Sequence, residues 1–160
     1  MLPERVLVAG ATGNQGGAVA RHLMERGIEV YALTRDEYGD SSRELDELGA
    51  HIVEANLRDK ESLHDAVREG DVDAVYCVTT PIEGPDAEIE QGTNLGEVAA
   101  EHGVEQFVFS SVWGADEDTG ISFSSPSIQS SADWPIWICR SPSCDQSRSC
   151  RIWSVCAMTS

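Results

Sequence analysis

Short apolar runs alternate along the chain with longer segments whose apolar residues are spaced three or four positions apart. The runs predict five buried strands, over residues 6–9, 29–33, 51–53, 74–78 and 106–109. The segments between them predict helices, each followed by a glycine, over residues 15–26, 42–48, 62–68 and 86–102. Strands and helices that alternate through short loops predict an α/β fold with a doubly wound parallel sheet.

The first predicted strand leads into a glycine-rich loop, Gly10-Ala-Thr-Gly-Asn-Gln-Gly16, and a predicted helix starts directly afterwards. In that context the spacing G-x-x-G-x-x-G indicates a dinucleotide site. Gly10 permits the tight turn, Gly13 lets the backbone approach a pyrophosphate, and Gly16 lets the helix pack closely. The helix N-terminus offers N–H groups and a partial positive charge to the phosphates. A structural turn that holds no cofactor is the alternative.

The residues after the second strand, Thr34-Arg35-Asp36, bear on the choice between NAD and NADP. An acidic residue at the strand end would accept a hydrogen bond from the ribose 2′-OH of NAD. Thr34 occupies that place, and Arg35 could pair with the 2′-phosphate of NADP. The sequence therefore predicts NADP, while Asp36 keeps NAD open as the alternative.

Charge excludes several classes of partner. The 160 residues include 28 acidic and 11 basic side chains, a net charge of −17, which argues against binding to nucleic acid or to anionic membranes. The apolar runs are too short to cross a membrane, and the first residues lack a signal-peptide layout, so we expect a cytoplasmic protein. Lys60 is the only lysine, and a carboxylate-rich chain with almost no lysine is typical of halophilic proteins. An ordinary acidic protein is the alternative.

Several segments together resemble the NmrA-like family of atypical short-chain dehydrogenases/reductases: VLVAGATGNQGGAVARHLMERG, VYALTRD, NLRDKESLHDAV, VYCVTTP and EHGVEQFVFSSV. The resemblance covers about residues 5–113 and implies an NADP(H)-preferring Rossmann domain with a smaller C-terminal substrate part. It implies an NAD(P)H-dependent oxidoreductase that reduces a quinone or a similar small carbonyl substrate. The alternatives are a non-catalytic redox sensor that binds a regulatory protein and, further off, an enzyme similar to nucleoside-diphosphate-sugar epimerases.

The resemblance also assigns site residues. It implies that the phosphate loop comprises Gly10, Thr12, Gly13, Asn14, Gln15 and Gly16. Arg35 matches the family's 2′-phosphate ligand, and Asn56-Leu57 stands where the family has Asp-Leu near the adenine. Thr79 and Thr80 would lie against the ribose and the nicotinamide.

Catalytic residues are harder to find. Ser110 and Ser111 end the fifth strand, where ordinary short-chain reductases place a Ser that polarises the substrate, although hydroxyls there also cap backbone. Those reductases protonate the substrate with a Tyr four residues before a Lys, and no Tyr lies beyond Tyr76 and no Lys beyond Lys60. We therefore expect the chain to be inactive as written. The histidines and cysteines lack metal-ligand spacing, so no metal is expected.

The composition changes abruptly near residue 123. Residues 1–123 carry a net charge of −18, whereas residues 124–160 carry +1 and hold 11 Ser, four of the five Cys and three of the four Trp. Read one base out of register, residues 133–147 can encode Leu-Ala-Asp-Leu-Asp-Leu-Pro-Val-Thr-Ile-Leu-Arg-Pro-Val, close to the family's next strand. We therefore expect residues 1–122 to be an incomplete NAD(P)-binding domain, truncated after about five strands. Residues 123–160 would be an irregular, disordered tail from a shifted reading frame, or else a genuine extension.

Overall fold

The computed structural model describes residues 3–79, 85–110 and 136–139. Its strands are β1 (Arg5–Ala9), β2 (Glu29–Thr34), β3 (His51–Glu54), β4 (Ala74–Cys77), β5 (Gln106–Ser110) and β6 (Ile136–Cys139). Its helices are α1 (Asn14–Glu25), α2 (Asp40–Glu47), α3 (Lys60–Gly70) and α4 (Pro85–Glu101). All strand pairs are parallel, in the order β3-β2-β1-β4-β5-β6, so the winding reverses between β1 and β4.

The predicted doubly wound sheet is confirmed, and its five strands and four helices occur in the predicted order. Element ends differ by at most two residues. Helix α3 begins at Lys60, two residues earlier than predicted, because the Asp59 carboxylate caps it by accepting the Glu61 N–H at 3.1 Å.

A sixth strand was not predicted. Strand β6 pairs with β5 in parallel, with Phe107 opposite Ile136 and Ser110 opposite Cys139. The segment 123–160 is therefore not irregular throughout. Its run Ile-Trp-Ile consists of β-branched and aromatic residues, which favour strands. The rest of this segment lies outside the described residues, and the division at residue 122 stays a prediction.

Two apolar cores lie on opposite faces of the sheet. Strand β1 contributes to both, because Leu7 points to one face and its neighbour Val8 to the other. Helices α3 and α4 cover the first face, and α1 and α2 cover the second. Burial on both faces explains why the strands are nearly continuous apolar runs. In the part of the chain that is described, no helix is long and apolar enough to span a membrane.

Leu95 of α4 provides a test of the first core. Its side chain is fully buried against the sheet, so we expect Leu95→Ala to lower the free energy of unfolding by about 2–5 kcal/mol. Leu48→Ala is the matched control, because Leu48 is 52% exposed and should change stability by only about 0.5 kcal/mol. Urea unfolding measures both, and equal effects would contradict this packing.

Candidate functional site

A cleft of about 440 Å³ opens at the carboxyl ends of the central strands. Its walls come from the loops after β1, β2, β3 and β4 and from α4, so it lies where the strand order reverses, the usual ligand position in such sheets. It brings together nine of the eleven predicted cofactor residues; Thr79 is not among them, and Thr80 lies outside the described residues. The lining residues are Gly10, Thr12, Gly13, Asn14, Gln15, Gly16, Leu33, Thr34, Arg35, Asn56, Leu57, Arg58, Val78 and Gln91.

The glycine loop is shaped by close backbone contacts. Gly10 has φ 78°, and a Cβ at this position would lie 2.6 Å from Val78 Cγ1 and 2.8 Å from the Val78 carbonyl oxygen. A Cβ on Gly16 would overlap the Gly10 carbonyl oxygen. Side chains at either position would therefore displace the loop, which explains why both must be glycine.

The start of α1 can receive an anion. Gly13 occupies the N-cap in an extended conformation and has no side chain to cap the helix. The first turn, Asn14 to Gly17, carries no carboxylate, and the first backbone bond back to the cap is from the Gly17 N–H to the Gly13 carbonyl, at 2.9 Å. The N–H groups of Asn14, Gln15 and Gly16 are therefore available to phosphate oxygens.

The turn after β2 places Arg35 in the wall of the cleft but not the adjacent Asp36. The buried Ser42 hydroxyl donates to the Asp36 carbonyl at 2.6 Å, and Thr34 Oγ1 accepts the Asp36 N–H at 3.1 Å. The Asp36 carboxylate in turn accepts the Tyr38 N–H at 3.1 Å. Asp36 is thus engaged within its own turn and is not among the cleft-lining residues, whereas the exposed Arg35 is one of them.

Helix α4 holds the loop after β3. Asn56 Oδ1 accepts the Arg58 N–H at 3.0 Å, which makes a tight turn. Arg58 Nε pairs with Glu90 Oε2 at 2.9 Å, and Asn94 Nδ2 donates to the Leu57 carbonyl at 3.1 Å. The predicted adenine-side residues are therefore fixed in place by two side chains of α4.

Thr79 does not line the cleft. It is buried, and its hydroxyl donates to Glu88 Oε1 at 2.8 Å, while Thr80 lies outside the described residues. The nearby Cys77 is fully buried, and this burial, with a smaller effect of the Glu88 charge, raises the pKa of its thiol to about 12. Cys77 therefore stays a protonated thiol at neutral pH and cannot serve as a nucleophile.

The end of β5 contacts the phosphate loop through Gln15. Gln15 Nε2 donates to Ser110 Oγ at 2.5 Å and to Tyr76 Oη at 3.0 Å. These contacts bring the Ser110 hydroxyl next to Gln15, which lines the cleft, and its catalytic role stays a prediction. Ser111, the other candidate, lies outside the described residues.

Several other titratable groups pair with one another away from the cleft. His51 pairs with Glu29, and His64 contacts both His102 and Glu101. Lys60 pairs with Glu97, and this hydrogen bond raises the pKa of the lysine. Within residues 3–79 and 85–110, no group of three or more His, Cys, Asp or Glu side chains could hold a metal ion.

Apart from Thr34 at the end of β2, the polar lining residues that were not predicted are Arg58 and Gln91. Arg58 directly follows Asn56-Leu57, so proximity in sequence was an available signal. Gln91 is far from the other site residues in sequence, but it lies four residues after Ala87 and four before Leu95, both buried in α4. A polar residue within that apolar stripe was the signal for Gln91.

Comparison with known proteins shows the family to which the chain belongs. Residues 3–130 match the sequence profile of the NmrA-like family. The chain belongs to the NmrA-like family. An NmrA-like family domain-containing protein from Dictyostelium discoideum is 32% identical over 133 residues, covering 82% of this chain and 44% of that protein. The NAD(P)H azoreductase of Xenophilus azovorans is 34% identical over 116 residues, covering 72% and 38%.

Solved structures agree with the fold of this NmrA-like chain. The Citrobacter sp. triphenylmethane reductase complexed with NADP(H) has a TM-score of 0.62 and 25% identity, covering 71% of this chain and 39% of that one. The Thermus thermophilus UDP-glucose 4-epimerase complex with NAD has a TM-score of 0.56 and 33% identity, covering 68% and 37%. The NmrA-like chain thus has the Rossmann fold of NAD(P)-binding atypical short-chain dehydrogenases/reductases. It spans less than half the length of the relatives named here.

Proposed function

We propose that the cleft binds NADP(H), with Arg35 as the ligand of the 2′-phosphate. The observation that carries this proposal is the turn after β2, in which Arg35 lines the cleft while Asp36 is held by the Tyr38 N–H. A guanidinium there suits a phosphate, whereas NAD would need a carboxylate facing the ribose. The similar triphenylmethane reductase was solved with NADP(H), which supports this choice.

The shape of the cleft fits the rest of a dinucleotide. The uncapped first turn of α1 would hold the pyrophosphate. The absence of side chains at Gly10 and Gly16 lets the loop keep the tight conformation that leads into this turn. Asn56 and Leu57 would contact the adenine. When bound, the nicotinamide supplies hydride chemistry. The chain's own residues would bind and orient the dinucleotide.

We further propose that the fold derives from an NAD(P)H-dependent oxidoreductase acting on a small carbonyl, quinone or aromatic substrate. Two similar proteins, an NAD(P)H azoreductase and a triphenylmethane reductase, are reductases, which supports this reaction class. In the 160 residues, however, Lys60 is the only lysine and is paired with Glu97, so it is not placed to assist a proton donor. We therefore propose that this chain binds NADP(H) without turning it over.

Binding and turnover can be tested separately. We expect the purified 160-residue chain to bind NADPH more tightly than NADH and to leave NADPH unconsumed in the presence of a quinone, an azo dye or a triphenylmethane dye. Fluorescence titration measures the first property and loss of NADPH absorbance the second. Steady NADPH consumption would overturn the proposed inactivity, and absence of NADPH binding would overturn the proposed cofactor.

Binding without turnover would also suit a redox sensor. A clear difference in affinity between NADP⁺ and NADPH, without consumption, would favour that reading and a regulatory protein as partner. An epimerase-like activity has support from the fold of the Thermus enzyme, but the Tyr-x-x-x-Lys pattern is missing from these 160 residues.

The origin of residues 123–160 remains a separate proposal. We propose a reading-frame shift near Ser122–Phe123, because the change in composition falls there and the alternative frame resembles the family's next strand. Sequencing the gene across codons 115–160 tests it. One or two missing or extra bases would support the shift, and an intact frame would contradict it.

A further inference from the structure

Gln91 is a buried polar side chain whose role the packing does not explain. Only 7% of its surface is exposed, and the residues one helical turn away on either side, Ala87 and Leu95, are buried apolar residues. Gln91 lines the cleft, so this otherwise buried side chain contributes a polar group to the wall of the cleft. A few polar groups among apolar ones orient a ligand in such clefts, and the position therefore indicates a contact with the ligand.

The neighbours of Gln91 locate it beside the predicted adenine side. Glu90 holds Arg58, and Asn94 holds the Leu57 carbonyl, so this stretch of α4 is packed against the loop after β3. Gln91 lies one turn before Asn94 on the same helix face. Because α4 connects two parallel strands, its N-terminal end is at the carboxyl edge of the sheet, and Gln91 is therefore nearer the cleft than Asn94.

The lining around Gln91 suits a purine base. Leu57 and Val78 are apolar side chains in the same cleft, which can contact the faces of a flat ring. Within the described part of the chain, Asn56 Oδ1 accepts one hydrogen bond, from the Arg58 N–H, which leaves one lone pair for a donor on the base. The cleft therefore combines apolar contacts with two carboxamides, from Asn56 and Gln91.

We propose that Gln91 determines base specificity by pairing with the adenine of the bound dinucleotide. Its Oε1 accepts from the adenine N6 amino group and its Nε2 donates to N7, the pairing by which glutamine recognises adenine elsewhere. This inference rests on the proposed NADP(H) binding. Hypoxanthine carries an acceptor oxygen in place of the amino group, so it would lose one of the two hydrogen bonds.

The test compares NADPH with its hypoxanthine analogue, using fluorescence titration of the full 160-residue chain. We expect the wild type to bind NADPH about tenfold more tightly than the analogue, since such a pair discriminates between bases by about 1–3 kcal/mol. Gln91→Leu should bring the two dissociation constants to within about twofold of each other. Gln91→Met, which keeps an unbranched side chain, is a second variant with the same expected result.

Gln106→Leu is the matched control. Gln106 begins β5 at the opposite edge of the sheet from the cleft, and its Oε1 is buried without a partner in the described part of the chain. We expect this variant to keep the wild-type preference. Equal binding of the two dinucleotides by the wild type, or an unchanged preference in both Gln91 variants, would overturn the inference. If the wild type binds neither dinucleotide, the proposed function itself is overturned.

Discussion

Replacing Arg35 with alanine should weaken NADPH binding by about 30-fold and leave NADH binding nearly unchanged. A charge-assisted hydrogen bond contributes about 1.5–3 kcal/mol, and each 1.4 kcal/mol changes a dissociation constant about tenfold. The loss is confined to NADPH because only this cofactor carries the 2′-phosphate. Fluorescence titration with both cofactors, at one fixed salt concentration, measures the difference.

Arg43→Ala is the control for the removal of a positive charge from this acidic chain. Arg43 is exposed on α2, close in sequence to the turn, but it is not among the cleft-lining residues. We expect its removal to change the affinity for NADPH less than about twofold, as for a charge that contacts no ligand. Equal losses for NADPH and NADH in Arg35→Ala would show that Arg35 does not contact the 2′-phosphate.

Gly10→Ala should lower the free energy of unfolding by about 3 kcal/mol or more and abolish dinucleotide binding. About 1–2 kcal/mol comes from placing a side chain at positive φ, and the rest from the overlap of the new Cβ with Val78. Relief of this overlap would move the loop away from β4, and the first turn of α1 would move with it. Urea unfolding and NADPH titration on the same preparation check both effects.

Gly27→Ala separates the two causes. Gly27 has φ 76°, almost the same as the 78° of Gly10, but no atom lies within 4 Å of a Cβ at this position. We expect a loss of about 1–2 kcal/mol in the free energy of unfolding, with unchanged affinity for NADPH. If both alanine variants lost the same stability and bound NADPH equally, the close approach of Gly10 to Val78 would have no role.

Much of the fold was predictable because its signals are local. The apolar runs located five strands, and the glycines after α1, α2 and α4 have the positive φ that ends a helix. Strand β6 was missed because its four residues lie in a serine- and cysteine-rich segment with no apolar periodicity. What places Ile136–Cys139 in the sheet is pairing with β5, which no local pattern reveals.

The residues of the candidate site likewise divide into those that local sequence patterns predicted and those that depend on tertiary packing. The phosphate loop and Arg35 were predicted because each follows directly from a strand end. The role of Asp36 stayed open, since the hydrogen bond from the Tyr38 N–H depends on how the turn closes. Gln91 was missed because it reaches the cleft only through the packing of α4 against the loop at Leu57.

The central position of β1 affects how the sheet assembles while the protein is being synthesised. β1 leaves the ribosome before both of its neighbours, and the second neighbour, β4, follows much later than β2, because Val6 pairs with Ala74 and Ala9 with Cys77. Until β4 has emerged, one edge of this apolar strand stays open to pairing with other chains. Synthesis rate and chaperone access between the emergence of β1 and that of β4 should therefore influence the yield of folded protein more than the same factors acting later.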